Sequence, residues 1–313
     1  MTSDLLKIPP FKDAHVHLMA EGRPIPLEEV SNLADLYPSC GIYFIEDMGH
    51  TSGLGLSAKR VLAGISESPV GFRTAGRVLY KKGTYGSFLG RGVSGKGEIK
   101  EAIRELVEAG ADFIKIINSG IVSLEAEDEV TPGGFSNEEW KVISEEAKNH
   151  QLGIRCHANS DKAIRSALSG GADSIEHGFF VKRETLHWMA ESRITWVPTV
   201  FALYALQNSL SPEAAGALER IVAGHLEALL YGVLLGVKIS TGTDSGSKGV
   251  FPGISFFKEL QFFKQAGFSL EQILTAACQE KEEIEKGNYL MVEKDFIERG
   301  RIAAAFYQHK PVS

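Results

Sequence analysis

Phe11-Lys12-Asp13-Ala14-His15-Val16-His17-Leu18 is the stretch from which the rest of the chain is interpreted. Its apolar and polar residues alternate as in a β-strand, whose side chains point to the same side every second position. His15 and His17 are therefore predicted to project together. Two imidazoles on one side of a strand form half of a typical metal site, although they also occur as a simple polar patch. The prediction of a metal therefore depends on ligands from elsewhere in the chain.

Seven further apolar, β-rich runs follow, and helical patterns separate them. The eight candidate strands are residues 11–18, 41–48, 70–78, 113–118, 152–157, 174–177, 194–200 and 236–243. A helix is predicted for residues 97–110, where Ile99, Ile103 and Leu106 recur at helical spacing before a glycine. Eight alternations of strand and helix predict an α/β fold, a single (β/α)₈ TIM barrel. Residues 1–313 are predicted to be one domain, with a barrel core over about 11–285 and a C-terminal tail over 286–313.

Four more potential ligands lie near the carboxyl ends of different predicted strands, where this barrel gathers its chemistry. They are Lys115, His157, His177 and Asp244. Imidazole and carboxylate groups suit Zn²⁺, Mn²⁺ or Fe²⁺, and no cysteine accompanies them as in a closed structural zinc site. The pattern favours an open, catalytic metal site. Each histidine taken alone could instead be a hydrogen-bonded core residue, and Asp244 could cap a helix or fix a turn.

Lys115 is the unusual candidate because its neighbours Phe113, Ile114 and Ile116 are apolar. Burial and nearby cations both lower the pKa of a lysine, and a neutral amine can add CO₂ to form a carbamate. The two oxygens of a carbamate could bridge two metal ions. The alternative is a lysine that pairs with a barrel carboxylate or extends its ammonium to the surface.

Composition excludes several other classes of protein. The net charge is −7, and Lys and Arg are not clustered, so a nucleic-acid partner is not expected. No run of apolar residues is long enough to cross a membrane and the first residues do not resemble a secretion signal, so we expect a cytoplasmic protein. The three cysteines, Cys40, Cys156 and Cys278, are expected to be reduced.

Two long loops follow predicted strands on the expected catalytic side, residues 80–96 and 119–135. Loops of this length in a compact domain are commonly functional, and we expect both to act as lids over the site. Lys81, Lys82 and Arg91 in the first loop are candidates to bind a substrate carboxylate, or else are solvated loop charges. The remaining histidines, at positions 50, 150, 187, 225 and 309, are interpreted as ordinary surface or packing residues.

The ordered set of motifs resembles the amidohydrolase superfamily of metal-dependent hydrolases, from about Phe11 to Ala277. The stretches that carry the resemblance are Asp13-Ala14-His15-Val16-His17, Gly110-Ala111-Asp112-Phe113-Ile114-Lys115, His157-Ala158, Gly171-Ala172-Asp173-Ser174-Ile175-Glu176-His177-Gly178 and Gly242-Thr243-Asp244. Within the superfamily, Lys115 and its spacing to His157 and His177 look closest to the Xaa-Pro dipeptidase branch, with imidazolonepropionase-like enzymes as cousins.

The resemblance implies a site with one or two divalent metals, with Zn²⁺ expected and Mn²⁺ or Fe²⁺ as alternatives. It implies that His15, His17 and Asp244 hold the more buried ion, that His157 and His177 hold the second, and that carbamylated Lys115 bridges them. The implied reaction is cleavage of a C–N bond, in an amide, peptide or cyclic amide, by a metal-activated hydroxide. Asp244 would be the catalytic proton shuttle, and the substrate a small molecule or dipeptide.

Two departures from the superfamily pattern qualify the resemblance. Relatives usually carry a small β-sandwich built from both ends of the chain, and here it is expected to be absent or vestigial, which would leave barrel surface for a possible homo-oligomer. Asn159-Ser160 stands where relatives often have a histidine and a glycine. Two alternatives remain open: a mononuclear deaminase or cyclic-amide hydrolase with uncarboxylated Lys115, and a catalytically inactive barrel that serves as a scaffold.

Overall fold

The computed structural model describes residues 5–312, apart from residue 21, residues 66–67 and residues 125–129. The strands, β1 to β16 in chain order, are Leu6–Ile8, Phe11–Val16, Met19–Ala20, Arg23–Pro24, Ile42–Asp47, Gly71–Thr74, Val78–Lys81, Gly90–Val93, Phe113–Ile117, Gly153–Ala158, Ser174–His177, Thr195–Val197, Lys238–Ile239, Tyr289–Val292, Ala304–Tyr307 and Lys310–Pro311. The α-helices, α1 to α12, are Leu33–Ser39, Leu54–Ala63, Gly95–Ala109, Asn137–Asn149, Asp161–Ser169, Arg183–Ser192, Val200–Tyr204, Pro212–Leu235, Ile254–Ala266, Leu270–Ala277, Glu282–Glu285 and Phe296–Arg299.

Parallel strands alternate with helices along most of the chain, as predicted. One parallel sheet has the order β13-β12-β11-β10-β9-β7-β8, and a second has the order β2-β5-β6. Backbone hydrogen bonds join the two sheets at both sides, from Asp112 N–H to the Thr74 carbonyl (2.8 Å) and from Ala14 N–H to the Thr241 carbonyl (2.9 Å). This arrangement is compatible with the predicted TIM barrel.

The loop predicted for residues 80–96 is shorter than expected, because the chain forms two more strands there. The third predicted strand, residues 70–78, ends at Thr74 in β6, and Gly76 adopts a left-handed φ of 67°. β7 then begins at Val78 and pairs in parallel with β9, and β8 pairs in parallel with β7. The connection is tight at Gly86, where a Cβ atom would lie 2.7 Å from Ile117. The many glycines of this segment therefore permit close packing rather than a free loop.

The helix end that the sequence predicted at Gly110 is confirmed. α3 ends before Gly110, which has a φ of 88°, a backbone conformation that glycine adopts without steric cost. α4 begins with a reciprocal capping box, in which the Ser136 side chain accepts from the Glu139 N–H and the Glu139 side chain accepts from the Ser136 N–H. Both signals are local, and so they are visible in the sequence.

The two ends of the described chain meet in a separate antiparallel sheet with the order β1-β14-β15-β16. Tyr289 and Phe306 stack across it with ring centroids 4.5 Å apart. Residues 286–312, in the segment predicted as a tail, thus supply three strands and a short helix. Phe296 connects it to the core through a stacked contact with Phe11, at 6.0 Å between centroids. Within the described residues, no helix has the length and apolar character needed to cross a bilayer.

Candidate active site

The six residues predicted as ligands all line one pocket of about 220 Å³. His15, Lys115, His157 and His177 lie on β2, β9, β10 and β11, while His17 immediately follows β2 and Asp244 lies in the turn after β13. Parallel strands direct their carboxyl ends to the same side of a sheet, so residues far apart in sequence meet there. The structure therefore brings together every residue that the sequence predicted for the site.

His15, His17 and Asp244 form the most compact part of the site, with one potential donor atom from each within 4.8 Å of the others. Asp244 Oδ1 lies 3.5 Å from His15 Nε2 and 3.4 Å from His17 Nε2. Asp244 has a left-handed φ of 56°, and its N–H donates to the His15 carbonyl at 2.8 Å. Asp13 fixes the same turn by accepting hydrogen bonds from the N–H and hydroxyl of Thr243. Two nitrogens and a carboxylate oxygen thus converge on one point.

The remaining histidines extend this group across the pocket. The ring centroids of His15 and His177 are 5.1 Å apart, and those of His157 and His177 are 4.5 Å apart. His157 Nε2 lies 3.0 Å from the Gly120 carbonyl, so this nitrogen carries the proton and leaves Nδ1 as the potential donor atom. Asn159, the position that departs from the superfamily pattern, lies beside it, with its Nδ2 3.4 Å from His157 Nε2.

Contacts at Nδ1 orient the rings of His15, His17 and His177. His15 Nδ1 donates to Glu176 Oε2 at 2.6 Å, and His17 Nδ1 donates to the Gly49 carbonyl at 2.9 Å. His177 Nδ1 lies 2.6 Å from Thr199 Oγ1. In all three rings Nε2 is then the nitrogen left to bind an ion. Contacts of this kind fix the tautomer and the ring orientation of metal-ligating histidines.

Thr199 occupies a strained backbone position, with a φ of 47° that β-branched residues rarely adopt. The fully buried carboxylate of Glu259 supports this turn, because its two oxygens accept from the N–H groups of Val200 and Phe201 at 2.9 and 2.8 Å. Sequence reasoning missed Glu176, Thr199 and Glu259. Only Glu176 had a local signal, since a carboxylate stands directly before a candidate ligand in a predicted strand.

Burial keeps the nitrogen donors of the pocket neutral. Desolvation lowers the pKa of His17 to about 3 and that of His157 to about 4, and it lowers the pKa values of His15 and His177 well below the usual range. Burial also raises the pKa of Asp244 to about 7, although the nearby Lys115 acts in the opposite direction. Neutral imidazoles are the form that binds metal ions.

Lys115 is 2% exposed, so its amine does not extend to the surface. Its Nζ has no hydrogen-bond partner within the described residues, and burial lowers its pKa. Glu176 is a possible counter-ion for this amine, but its oxygens accept from His15 and from the Ser174 hydroxyl. An unpartnered buried amine is costly, which indicates that this nitrogen has a partner in the working protein.

The cations predicted to bind a substrate carboxylate lie elsewhere. Lys81 pairs with Glu139, Lys82 with Glu98, and Arg91 with both Glu101 and Glu105. None of the three lines the pocket, and each is paired with at least one glutamate. The first long loop instead contributes Tyr85, whose ring centroid lies 5.8 Å from that of His157. The lid predicted for residues 119–135 falls partly outside the described residues, but Ile121 and Val122 reach the pocket.

The five histidines set aside in the sequence are also absent from this pocket in the part of the chain that the structure describes. His225 contacts a wall of this pocket. It is 3% exposed and stacks on Phe179, a pocket residue, with ring centroids 4.0 Å apart. It is therefore a packing residue of the wall.

Two curated proteins are similar to this chain in sequence. Ochratoxinase from Aspergillus niger is 31% identical over 235 residues, which are 73% of this chain and 45% of that protein. The chain thus spans about half the length of that curated relative. An uncharacterized protein of Mycobacterium tuberculosis is 24% identical over 281 residues, which are 87% of this chain and 72% of that protein.

Two solved structures share the fold. One is a Xaa-Pro dipeptidase with methionine bound in its active site, with a TM-score of 0.80 and 20% identity over 98% of this chain and 87% of that one. The other is A. niger ochratoxinase, with a TM-score of 0.80 and 21% identity over 97% of this chain and 82% of that one. The amidohydrolase family model matches residues 6–281. This chain therefore belongs to the amidohydrolase family, a family of hydrolases that act on carbon–nitrogen bonds.

Proposed function

We propose that the parallel strands close into a (β/α)₈ barrel and that the protein is a metal-dependent hydrolase of amide bonds in small molecules or dipeptides. One observation carries this proposal. Six donor residues from five strand ends line a single pocket, with their imidazoles neutral and the Lys115 amine unpartnered. This combination is typical of a site for divalent cations rather than of a polar core. A bound cation would give each unpaired buried donor atom a partner.

The donor set fits two neighbouring ions. His15, His17 and Asp244 would hold the first, His157 and His177 the second, and Lys115 as a carbamate formed with CO₂ would lie between them. Zn²⁺ is the proposed metal, since imidazole and carboxylate are its usual ligands in open sites. Bound divalent metals act as Lewis acids and lower the pKa of water.

The residues of the chain then have distinct roles in hydrolysis. Asp244, whose carboxyl pKa is raised by burial, takes a proton from the attacking water at its carboxylate and delivers it to the leaving nitrogen. The water oxygen bonds to the carbonyl carbon, the C–N bond breaks, and an acid and an amine leave. Glu176, the Gly49 carbonyl and Thr199 keep the three imidazoles in position while this occurs.

Metal removal tests the proposal directly. Dialysis against a chelator should abolish hydrolysis of a panel of N-acyl amino acids, dipeptides and cyclic amides, and Zn²⁺, Mn²⁺ or Fe²⁺ added with bicarbonate should restore it. Metal content measured by elemental analysis should follow activity. Full activity in thoroughly metal-free protein would contradict the proposal, and a panel that is never cleaved by the metal-loaded protein would contradict the amide specificity.

A mononuclear enzyme is the second candidate, and one observation favours it. The compact donor group consists of His15, His17 and Asp244, without His157 and His177. In that case Lys115 stays uncarboxylated, and the reaction is deamination or hydrolysis of a cyclic amide. One tightly bound metal per chain and no effect of bicarbonate would support this candidate over the binuclear site.

Glu176→Gln tests the proposed orientation of His15. The amide retains the shape of the side chain but lacks the charge that makes the His15 ring more basic, so metal affinity should fall by about 10- to 100-fold. Competition with a chromophoric chelator measures this affinity. Glu108→Gln, at a side chain that is 70% exposed on α3, is the matched control and should leave metal affinity unchanged. Wild-type affinity in Glu176→Gln would show that the contact does not tune the site.

A further inference from the structure

The pocket walls beyond the donor set are mostly apolar. Phe88, Leu89, Ile121, Phe179 and Leu206 are among the lining side chains. Such a surface accepts a bulky apolar group, and it offers few hydrogen bonds that would orient a substrate. A polar group in the right place would therefore have a large influence on which molecules bind.

Lys248 is such a group. Of the charged side chains that line the pocket within the described residues, Lys115 and Asp244 belong to the donor set, and Lys248 is the third. Lys248 is exposed, and no carboxylate forms an ion pair with it in the described parts of the chain. It thus differs from Lys81 and Lys82, whose ammonium groups are paired with glutamates.

The backbone around Lys248 is well defined. Ser247 N–H donates to the Asp244 carbonyl at 3.3 Å, and Val250 N–H donates to the Ser247 carbonyl at 3.0 Å. Gly246 N–H in turn donates to the Val250 carbonyl at 3.0 Å. These bonds close a tight turn that carries both Asp244 and Lys248. The backbone of Lys248 is therefore held in the same turn as Asp244, which we propose as the proton donor to the leaving nitrogen.

We propose that Lys248 is a specificity residue that binds a carboxylate on the leaving amine, so that the preferred substrates are N-acyl amino acids with apolar groups. This inference rests on the proposed amide hydrolysis. A carboxylate one carbon from the scissile nitrogen lies on the same side of the substrate as that nitrogen. The turn from Asp244 to Lys248 supplies a partner for each of these groups. Asp244 would donate the proton to the nitrogen, and Lys248 would be the counter-ion of the carboxylate. Hydrogen bonds between charged groups are stronger than neutral ones, and they discriminate against analogues without the charge.

The test compares N-benzoylphenylalanine with N-benzoylphenylalaninol, which replaces the carboxylate by a neutral alcohol and adds no second scissile bond. The metal-loaded wild-type protein should prefer the acid by about 10- to 100-fold in kcat/KM, mainly through KM. In Lys248→Met the ratio should collapse toward one, and Lys248→Arg, which retains the charge, should restore most of it. Lys264 lies on α9 and pairs with Glu298. Lys264→Met is the matched control and should retain the wild-type ratio of acid to alcohol.

Binding measured by calorimetry separates this inference from the proposed reaction. N-benzoylphenylalanine should bind wild-type protein at least about 10-fold more tightly than it binds Lys248→Met, whether or not the compound is hydrolysed. Binding without turnover would contradict amide hydrolysis and support the role of Lys248. An unchanged acid-to-alcohol ratio, or equal binding by wild type and Lys248→Met, would overturn the role of Lys248 even if hydrolysis is efficient.

Discussion

Asp244→Ala is expected to lower kcat/KM for amide hydrolysis by about 10³-fold or more, because the substitution removes two functions at once. The carboxylate is the oxygen donor of the compact group with His15 and His17, and it is the only carboxylate that lines the pocket in the described parts of the chain. Without it the leaving nitrogen loses the carboxyl group that we propose as its proton donor. Steady-state kinetics together with metal analysis will show both losses.

Two controls separate this loss from misfolding. Asp35→Asn, at an exposed carboxylate in the first turn of α1, should retain wild-type activity. Asp244→Asn should retain more metal than Asp244→Ala, because its amide oxygen can still coordinate, yet it should remain as inactive, because it cannot carry the proton. Circular dichroism should show the wild-type fold in all three variants. Turnover within 10-fold of wild type in Asp244→Ala would refute the assigned role.

Lys115→Met should lower activity by about 10²-fold or more and leave at most one tightly bound metal per chain. Methionine is of similar length but cannot form a carbamate, so the proposed bridge between the two ions is lost. ¹³C spectroscopy of protein loaded with labelled bicarbonate should show a carbamate signal in wild type and none in the variant. A variant that binds two metals as tightly as wild type would show that Lys115 is not the bridge.

Stability provides an independent measurement on the same variant. Because the Lys115 Nζ is buried without a hydrogen-bond partner, an apolar side chain at this position removes a desolvation cost. The midpoint of thermal unfolding of metal-free Lys115→Met should therefore equal or exceed that of metal-free wild type. A clear decrease in this midpoint would indicate that Lys115 stabilises the folded protein and has a structural role instead.

The predicted donor residues were recognisable because they lie on or after parallel strands that are far apart in the sequence. Alternation along Phe11–Val16 predicts where His15 points, and the parallel strand order predicts that these strand ends meet at one edge. The contacts that orient these donors were not predictable in the same way. Glu176 is 161 residues from His15, and their hydrogen bond depends on how two distant strands are placed relative to each other. Such a distance is visible only once the strands are assembled.

The segment predicted as the first long loop, residues 80–96, also makes contacts that the sequence did not predict. Its length and position predicted a lid, with cations that could bind a substrate carboxylate, but part of this segment forms β7 and β8, and the cations are paired with glutamates of α3 and α4. Local composition does not reveal that pairing, because the partner helices follow in the chain and fold back against the strands. The accessible cation of the pocket is instead Lys248, in a turn that the sequence marked only for Asp244.

By itself, the sequence determined the alternation of strands and helices, the helix caps and the set of candidate donors that line the pocket. These features arise from periodicity and from hydrogen bonds between near neighbours, which act within a few residues. The tertiary structure alone decided which nitrogen of each imidazole is left to bind an ion, that the Lys115 amine has no partner in the described chain, and which cation faces the pocket. These features depend on desolvation and on contacts between distant segments, and both exist only when the chain is packed.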